Sequence, residues 1–268
     1  MMTAVGQLRM FLRWSMGCVA LWGAVWMMPG DAGAATLWPV QMPYEAPPKS
    51  EPVPDVSVAP NTKALTPEEL QRAEALLPLL EGKQEFWAMG EFVHLGESVL
   101  PVVTKALTMP GPRIRYNAIE TLSMMKSPAA VPALLETAKQ NGELPRIREH
   151  ALRVAVRLDP LQTPPAIEVM AKDVNSTIRK SAAFEARYVR HKDVIQPLID
   201  LVSDEERYVA LSAVQSLWML TRHETEFHDW DASNKQDRQA WAQEWVEWWN
   251  ASKDTFELPE PRSRKRAG

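Results

Sequence analysis

Two histidines and four acids fall within nine residues, His223-Glu224-Thr225-Glu226-Phe227-His228-Asp229-Trp230-Asp231. Imidazole and carboxylate groups at this density could ligate a metal ion. Asp229-x-Asp231-x-Ser233 also opens like a calcium-binding loop, but Asn234 stands where the turn glycine belongs, and Ala240 replaces the twelfth-position glutamate. The stretch therefore reads as a solvated polar loop. His223, His228, Asp229 and Asp231 are the residues that would ligate if a metal were held, and no cofactor is expected. His94, His150 and His191 are scattered and form no motif. The chain has no GxSxG, Walker, GxGxxG or HExxH signature. With 11 glycines and no long catalytic loop, the expectation is a protein that is not an enzyme.

The elements that would position such residues are sharply segregated along the chain. Arg9 and Arg13 precede a charge-free apolar run, Trp14 to Met28, which Pro29-Gly30 breaks before the small-residue triplet Ala32-Gly33-Ala34. That order is the pattern of a secretory signal peptide over residues 1–34. The run is shorter than the roughly 20 residues that span a bilayer, so an uncleaved membrane anchor is the alternative. Export to the periplasm or beyond is expected. Cys18, the single cysteine, lies inside this segment, so no disulfide is expected. A net charge of −4 over 268 residues argues against a nucleic-acid binder.

Residues 35–65 carry seven prolines from Pro39 to Pro60. Proline at this density removes backbone donors and fixes φ, so an extended spacer is predicted. Trp38 and Tyr44 are its candidate docking anchors. Thr66-Pro67-Glu68-Glu69 then has the form of a helix start: a hydroxyl cap, proline in the first turn, and acids after it. From there to about residue 250, apolar residues recur at helical spacing and almost nowhere alternate.

Within this helical region the sequence repeats itself. An aliphatic residue sits four before an alanine at Ile114/Ala118, Ile147/Ala151, Ile178/Ala182 and Val209/Ala213, at intervals of 33, 31 and 31 residues. Arg115, Arg148 and Arg179 follow the first three aliphatics. A second motif trails the first three starts: Val131-Pro132-Ala133-Leu134-Leu135, Ile195-Gln196-Pro197-Leu198-Ile199, and a later copy, Ala166-Ile167-Glu168-Val169-Met170, after an extra loop at 159–165. An earlier copy is Val99-Leu100-Pro101-Val102-Val103. This is a helix–turn–helix unit whose apolar faces are buried only by stacking on copies of itself.

The pattern resembles HEAT repeats of the short bacterial type over roughly residues 84–221. The resemblance implies an all-α fold: a right-handed α-solenoid of four to five helix–turn–helix units with a Trp-rich C-terminal capping helix. It divides the chain into a signal peptide (1–34), a spacer (35–65), a repeat domain (66–221), a polar loop with the capping helix (222–251) and a disordered basic tail (252–268). In such stacks the aligned arginines join a ladder of polar contacts between repeats; a binding stripe is the other reading. The repeats are also similar to those of phycobilin lyases, which work in the cytoplasm, and the export signal argues against that role.

The resemblance further implies protein binding. The expected partner surface is the face of the second helices, through Lys105, Glu136, Lys139, Lys172, Gln196 and Asp200. Other readings are a structural subunit of a membrane-associated envelope complex, and a metal- or glycan-binding accessory protein using residues 223–249. In the last segment Trp241, Trp245, Trp248 and Trp249 share one helical face, and Ser233 with Gln236 reads as a capping box. These tryptophans are expected to close the end of the core. Glycan or partner contact is the alternative.

Overall fold

In the computed structural model, residues 64–226 and 229–260 are described. The signal segment, the spacer to residue 63 with Trp38 and Tyr44, His228 and the basic tail beyond Glu260 lie outside them.

Each predicted helix start can be checked against its cap. The hydroxyl of Thr66 accepts from the Glu69 N–H at 3.2 Å, and the Glu69 carboxylate accepts from the Thr66 N–H at 2.8 Å. This closes a capping box on α1 (Pro67–Leu76). The repeat then runs as α2 (Glu85–Leu95) with α3 (Leu100–Ala106), α4 (Pro112–Met125) with α5 (Val131–Lys139), α6 (Pro145–Leu158) with α7 (Pro164–Ala171), and α8 (Ser176–Ala186) with α9 (Ile195–Asp200). α10 (Arg207–Thr221) and α11 (Lys235–Ser252) complete the series. Among the described residues there is no β-strand.

A short 3₁₀ turn joins the two helices in each of the first four units, immediately or one residue before the second helix. Prolines cluster at these second-helix starts: Pro101, Pro132 and Pro164 fall in the first two helical positions. There the missing N–H would have had no intrahelical acceptor, so the proline costs nothing and fixes the entry. In the first unit the chain turns at Gly96, whose φ of 78° and extended ψ a side chain would strain.

The packing follows from the repeat. α2, α4, α6, α8 and α10 contact one another in chain order and form one layer. α5, α7, α9 and α11 contact in the same order and form the second, which α3 begins. Where first-layer helices meet, Ala118, Ala151, Ala182 and Ala213 are fully buried, as the spacing predicts. Ile114, Ile147, Ile178 and Val209 point into the same core. The second-helix stripes Val131/Leu134/Leu135, Ile167/Met170 and Ile195/Leu198/Ile199 close it from the other side. Each such aliphatic side chain contributes roughly 1.5–3 kcal/mol of burial, which no isolated helix pair could collect.

Two local expectations change. The last helix is capped by Asn234, not Ser233: its side chain accepts from the Gln236 and Asp237 N–H groups, and Asp237 rather than Gln236 bonds back. Ser233 instead donates its hydroxyl to Trp230 O at 2.7 Å. The amide of Asn234 reaches the first-turn N–H groups one residue later in the register, which moves the start to Lys235. The chain after α11, expected as part of a disordered tail from residue 252, also packs back on the domain as far as Glu260. Phe256 and Leu258 lie against the core, and the guanidinium groups of Arg190 and Arg222 donate to the carbonyls of Pro259 and Glu260. Arg222 ends α10 in the left-handed conformation, which turns its side chain toward that strap.

Candidate functional site

The aligned arginines form a ladder. Arg115 on α4 grips Glu143 with two bonds, 2.5 and 2.8 Å. Arg148 on α6 reaches Asp173 at 2.5 Å, and Arg179 on α8 grips Asp204 at 2.7 and 2.9 Å. Every acid lies in the loop that leads into the next first-layer helix, and each also accepts a backbone N–H there, from Leu144, Asn175 and Glu206. Every arginine also donates backward, to Met109 and Pro110 O, to Ala138 O, or to Asp173 and Val174 O. Three consecutive loops are thus tied through one side chain. With all six side chains buried to 15 % exposure or less, this is a structural ladder, not a binding stripe. It stops at α10, where Ala210 occupies the arginine position. The acids were missed in the sequence, although each precedes its repeat aliphatic by four or five residues.

Five of the six residues expected to form the partner face lie on the second-layer helices, and Lys172 follows α7 as its C-cap. Their polar groups bond to neighbours on the same face: Lys105 to Glu74 at 2.8 Å, Lys139 to Glu136 at 2.6 Å, Lys172 to Glu168 at 2.9 Å, and Gln196 to Asp200 at 2.8 Å. Exposed pairs of this kind contribute little and describe a well-solvated surface.

The opposite surface differs in character. The outer side of the first-layer helices exposes Phe86 and Trp87 on α2, Met124 on α4, Phe184 on α8, and Tyr208, Leu211 and Met219 on α10. On α8 and α10 these residues knit together with cations. The Lys180 ammonium lies 5.8 Å from the Tyr208 ring centre, and the Arg187 guanidinium sits 4.0 Å over Phe184. Phe184 meets Tyr188 edge-on at 6.1 Å, and Arg187 donates to Gln215 at 3.3 Å. The sequence held a signal for this surface. Tyr208, Leu211, Gln215 and Met219 recur at helical spacing on the side of α10 opposite Val209, Ala213 and Leu217.

Between α4, α6 and α8 the same layer buries titratable groups. His150 is 7 % exposed and stacks on Tyr116 at 4.6 Å. Its Nε2 lies 3.1 Å from Glu120 Oε1, yet neither ring nitrogen makes a hydrogen bond of good geometry. Burial pushes the imidazole below its usual range. Glu185 is pushed up by burial, against the opposing bond from Arg153. Glu85 is held below the usual carboxylate range, chiefly by the hydrogen bond from Arg113.

The described residues of the His223–Asp231 stretch make aromatic and local contacts. His223 stacks face to face on Trp248 at 4.5 Å and meets Trp245 edge-on at 5.2 Å. Asp229 accepts the Asp231 N–H at 3.0 Å, a local turn, and Asp231 pairs with Arg207 at 3.2 Å. Among the described residues no group of three or more His, Cys, Asp or Glu could hold an ion. Trp245 and Trp249 are buried in the core, with Trp241 and Trp248 packed beside them, so α11 closes the end of the stack against α9.

Residues 86–155, which span α2 to most of α6, match the family model described as HEAT repeats. Over these residues the chain carries HEAT repeats. Among solved structures, these HEAT repeats are similar to the complex of CpcE and CpcF of phycocyanin lyase from Nostoc sp. PCC7120. The identity is 16 % and the TM-score 0.44, and the match spans 55 % of this chain and 96 % of that one. An engineered protein matches at 16 % identity and a TM-score of 0.36, over 69 % of this chain and 91 % of that one. No curated protein matches the sequence.

Proposed function

We propose that this HEAT-repeat protein is a non-catalytic, exported scaffold that binds a protein partner through the outer face of its first-layer helices. One observation carries the reading: aromatic side chains and methionine are exposed beside arginine and lysine across α8 and α10, with Tyr208 65 % and Met219 55 % exposed. Protein interfaces are enriched in aromatic residues, methionine and arginine, and depleted in lysine and acids. The second-helix face, where the polar pairs satisfy one another, fits that composition poorly. Export is supported by the charged, apolar and small-residue order of residues 9–34. No helix among the described residues is long and apolar enough to cross a membrane.

The test is crosslinking in cells followed by affinity capture, with the two faces altered separately. Phe184→Ala with Tyr208→Ala should cut recovery of the captured partner at least about tenfold, as truncated aromatic anchors do. Lys139→Glu with Lys172→Glu should leave it unchanged. The reverse result would move the interface to the second-helix face, and capture of monomer alone would end the proposal. Mass spectrometry of the mature N-terminus tests cleavage: a start at Ala35 or Thr36 supports the exported, cleaved form, and an intact Met1 points to the uncleaved membrane anchor instead.

A further inference from the structure

α10 and α11 are the last two helices and are joined through residues 222–234. Between them lies a cavity of about 100 Å³ walled by Trp218, Trp230, Trp241 and Trp245. Ala210 and Val214 of α10 form its floor, and Glu226 supplies the one charged side chain of its lining. No lysine, arginine or histidine among the described residues lines it. We infer that this cavity binds a quaternary ammonium group.

The argument is electrostatic and steric. An indole carries negative charge density on its faces, so rings grouped around one space attract a cation that has shed its water. A quaternary ammonium is the cation that sheds water most readily, because it has no N–H to leave unpaired. A primary ammonium or guanidinium would need hydrogen-bond acceptors that an indole wall does not offer. The Glu226 carboxylate adds the matching charge. The volume also selects: sites for drug-sized ligands run to roughly 300–1,000 Å³, so a sugar chain or a large cofactor is too big while a compact alkylated head is not.

The walls are held in place. The indole N–H of Trp218 donates to Thr225 Oγ1 at 3.2 Å. Trp245 is fixed edge-on between His223, at 5.2 Å, and Trp248, at 5.7 Å. The guanidinium of Arg238, not itself part of the lining, sits 4.3 Å over Trp230 and donates to Ser233 O at 3.1 Å. One ring of the site thus already carries a cation on its face. Preorganised walls of this kind spare the ordering cost of binding.

The shared chemistry is the trimethylated nitrogen, which free choline, a lipid headgroup or a methylated lysine could supply. The experiment is calorimetric titration of the whole protein with choline, and in parallel with 3,3-dimethylbutanol, in which carbon replaces the nitrogen. Choline should bind saturably at one site, its N-methyl proton resonance should move upfield from ring currents, and the neutral isostere should bind roughly tenfold or more weaker. Glu226→Gln, an exposed change that leaves the fold intact, should weaken choline several-fold without changing the isostere. Val214→Phe should fill the floor and abolish binding of both. Phosphatidylcholine vesicles and a trimethyllysine peptide distinguish the source, whichever is tighter. Equal binding of choline and its isostere would overturn the inference, as would no saturable binding of choline.

Discussion

Arg148 on α6 and Asp173 before α8 form the most deeply buried ion pair among the described residues, at 4 % and 6 % side-chain exposure. The pair is 25 residues apart in sequence, and through Arg148 it joins the C-terminal end of α5 to the loop before α8. Its value is in register: a guanidinium placed one turn into each first helix fixes where the next helix begins.

Arg148→Ala should therefore destabilise the domain by about 3–5 kcal/mol, because it leaves Asp173 buried without a counter-charge. The same change at Arg179 should cost less, since Arg179 and Asp204 are somewhat more exposed. Urea denaturation of the two single variants, with an Arg148/Asp173 double-mutant cycle, reads the coupling directly. Coupling near zero would show that the ladder is an accident of packing.

Ala182 has no exposed surface and sits where α8 meets α6 and α10. Ala182→Leu should cost about 1–3 kcal/mol or more through overpacking. Ala129, exposed in the turn before α5, should accept the same change within about 0.5 kcal/mol. Thermal melts of both variants test the contrast.

Trp245→Ala should cost about 3–5 kcal/mol by opening a cavity at the end of the core. The damage should be local in a repeat stack: hydrogen exchange should rise in α9 to α11 and little in α2 to α4. Uniform loss of protection would instead mean that the whole array unfolds as one unit.

The buried imidazole predicts a pH dependence. Burial lowers the His150 pKa first; Glu120 opposes the shift, while Arg153 and Arg157 on its own helix add to it. Arg113, Tyr116, Arg146 and Glu149 line the same groove. The folded state thus prefers the neutral ring. Its contribution is fully present above the unfolded value of about 6.5 and is lost as pH falls through the lower folded value. His223 shifts the same way. Urea midpoints from pH 7.5 to 5 should fall more steeply for the wild type than for His150→Phe, which keeps the stack on Tyr116 but cannot charge. Parallel slopes would refute it.

Much of this protein could be read from the chain, because repetition averages out local ambiguity. Ile114, Ile147, Ile178 and Val209 with their alanines mark four helices by spacing alone, and all eight residues are buried. The candidate sites were less legible. Lys172 is exposed and Lys139 half-buried, and only the folded structure shows each bonded to a glutamate beside it. His223 reads as a possible ligand, and only the folded structure shows Trp248, 25 residues later, stacked on its ring.

The sequence by itself determined the helical class, the repeat unit, the buried alanine seam and the location of a tryptophan-rich end. These depend on periodicity, which local steric and solvent forces impose on each segment independently. Only the tertiary structure decided that the arginines are a ladder, that the aromatic surface lies on the first-layer helices, and that Trp218, Trp230, Trp241 and Trp245 surround a space. Those facts depend on which surfaces remain uncovered after stacking, and one helix cannot specify that without its neighbours.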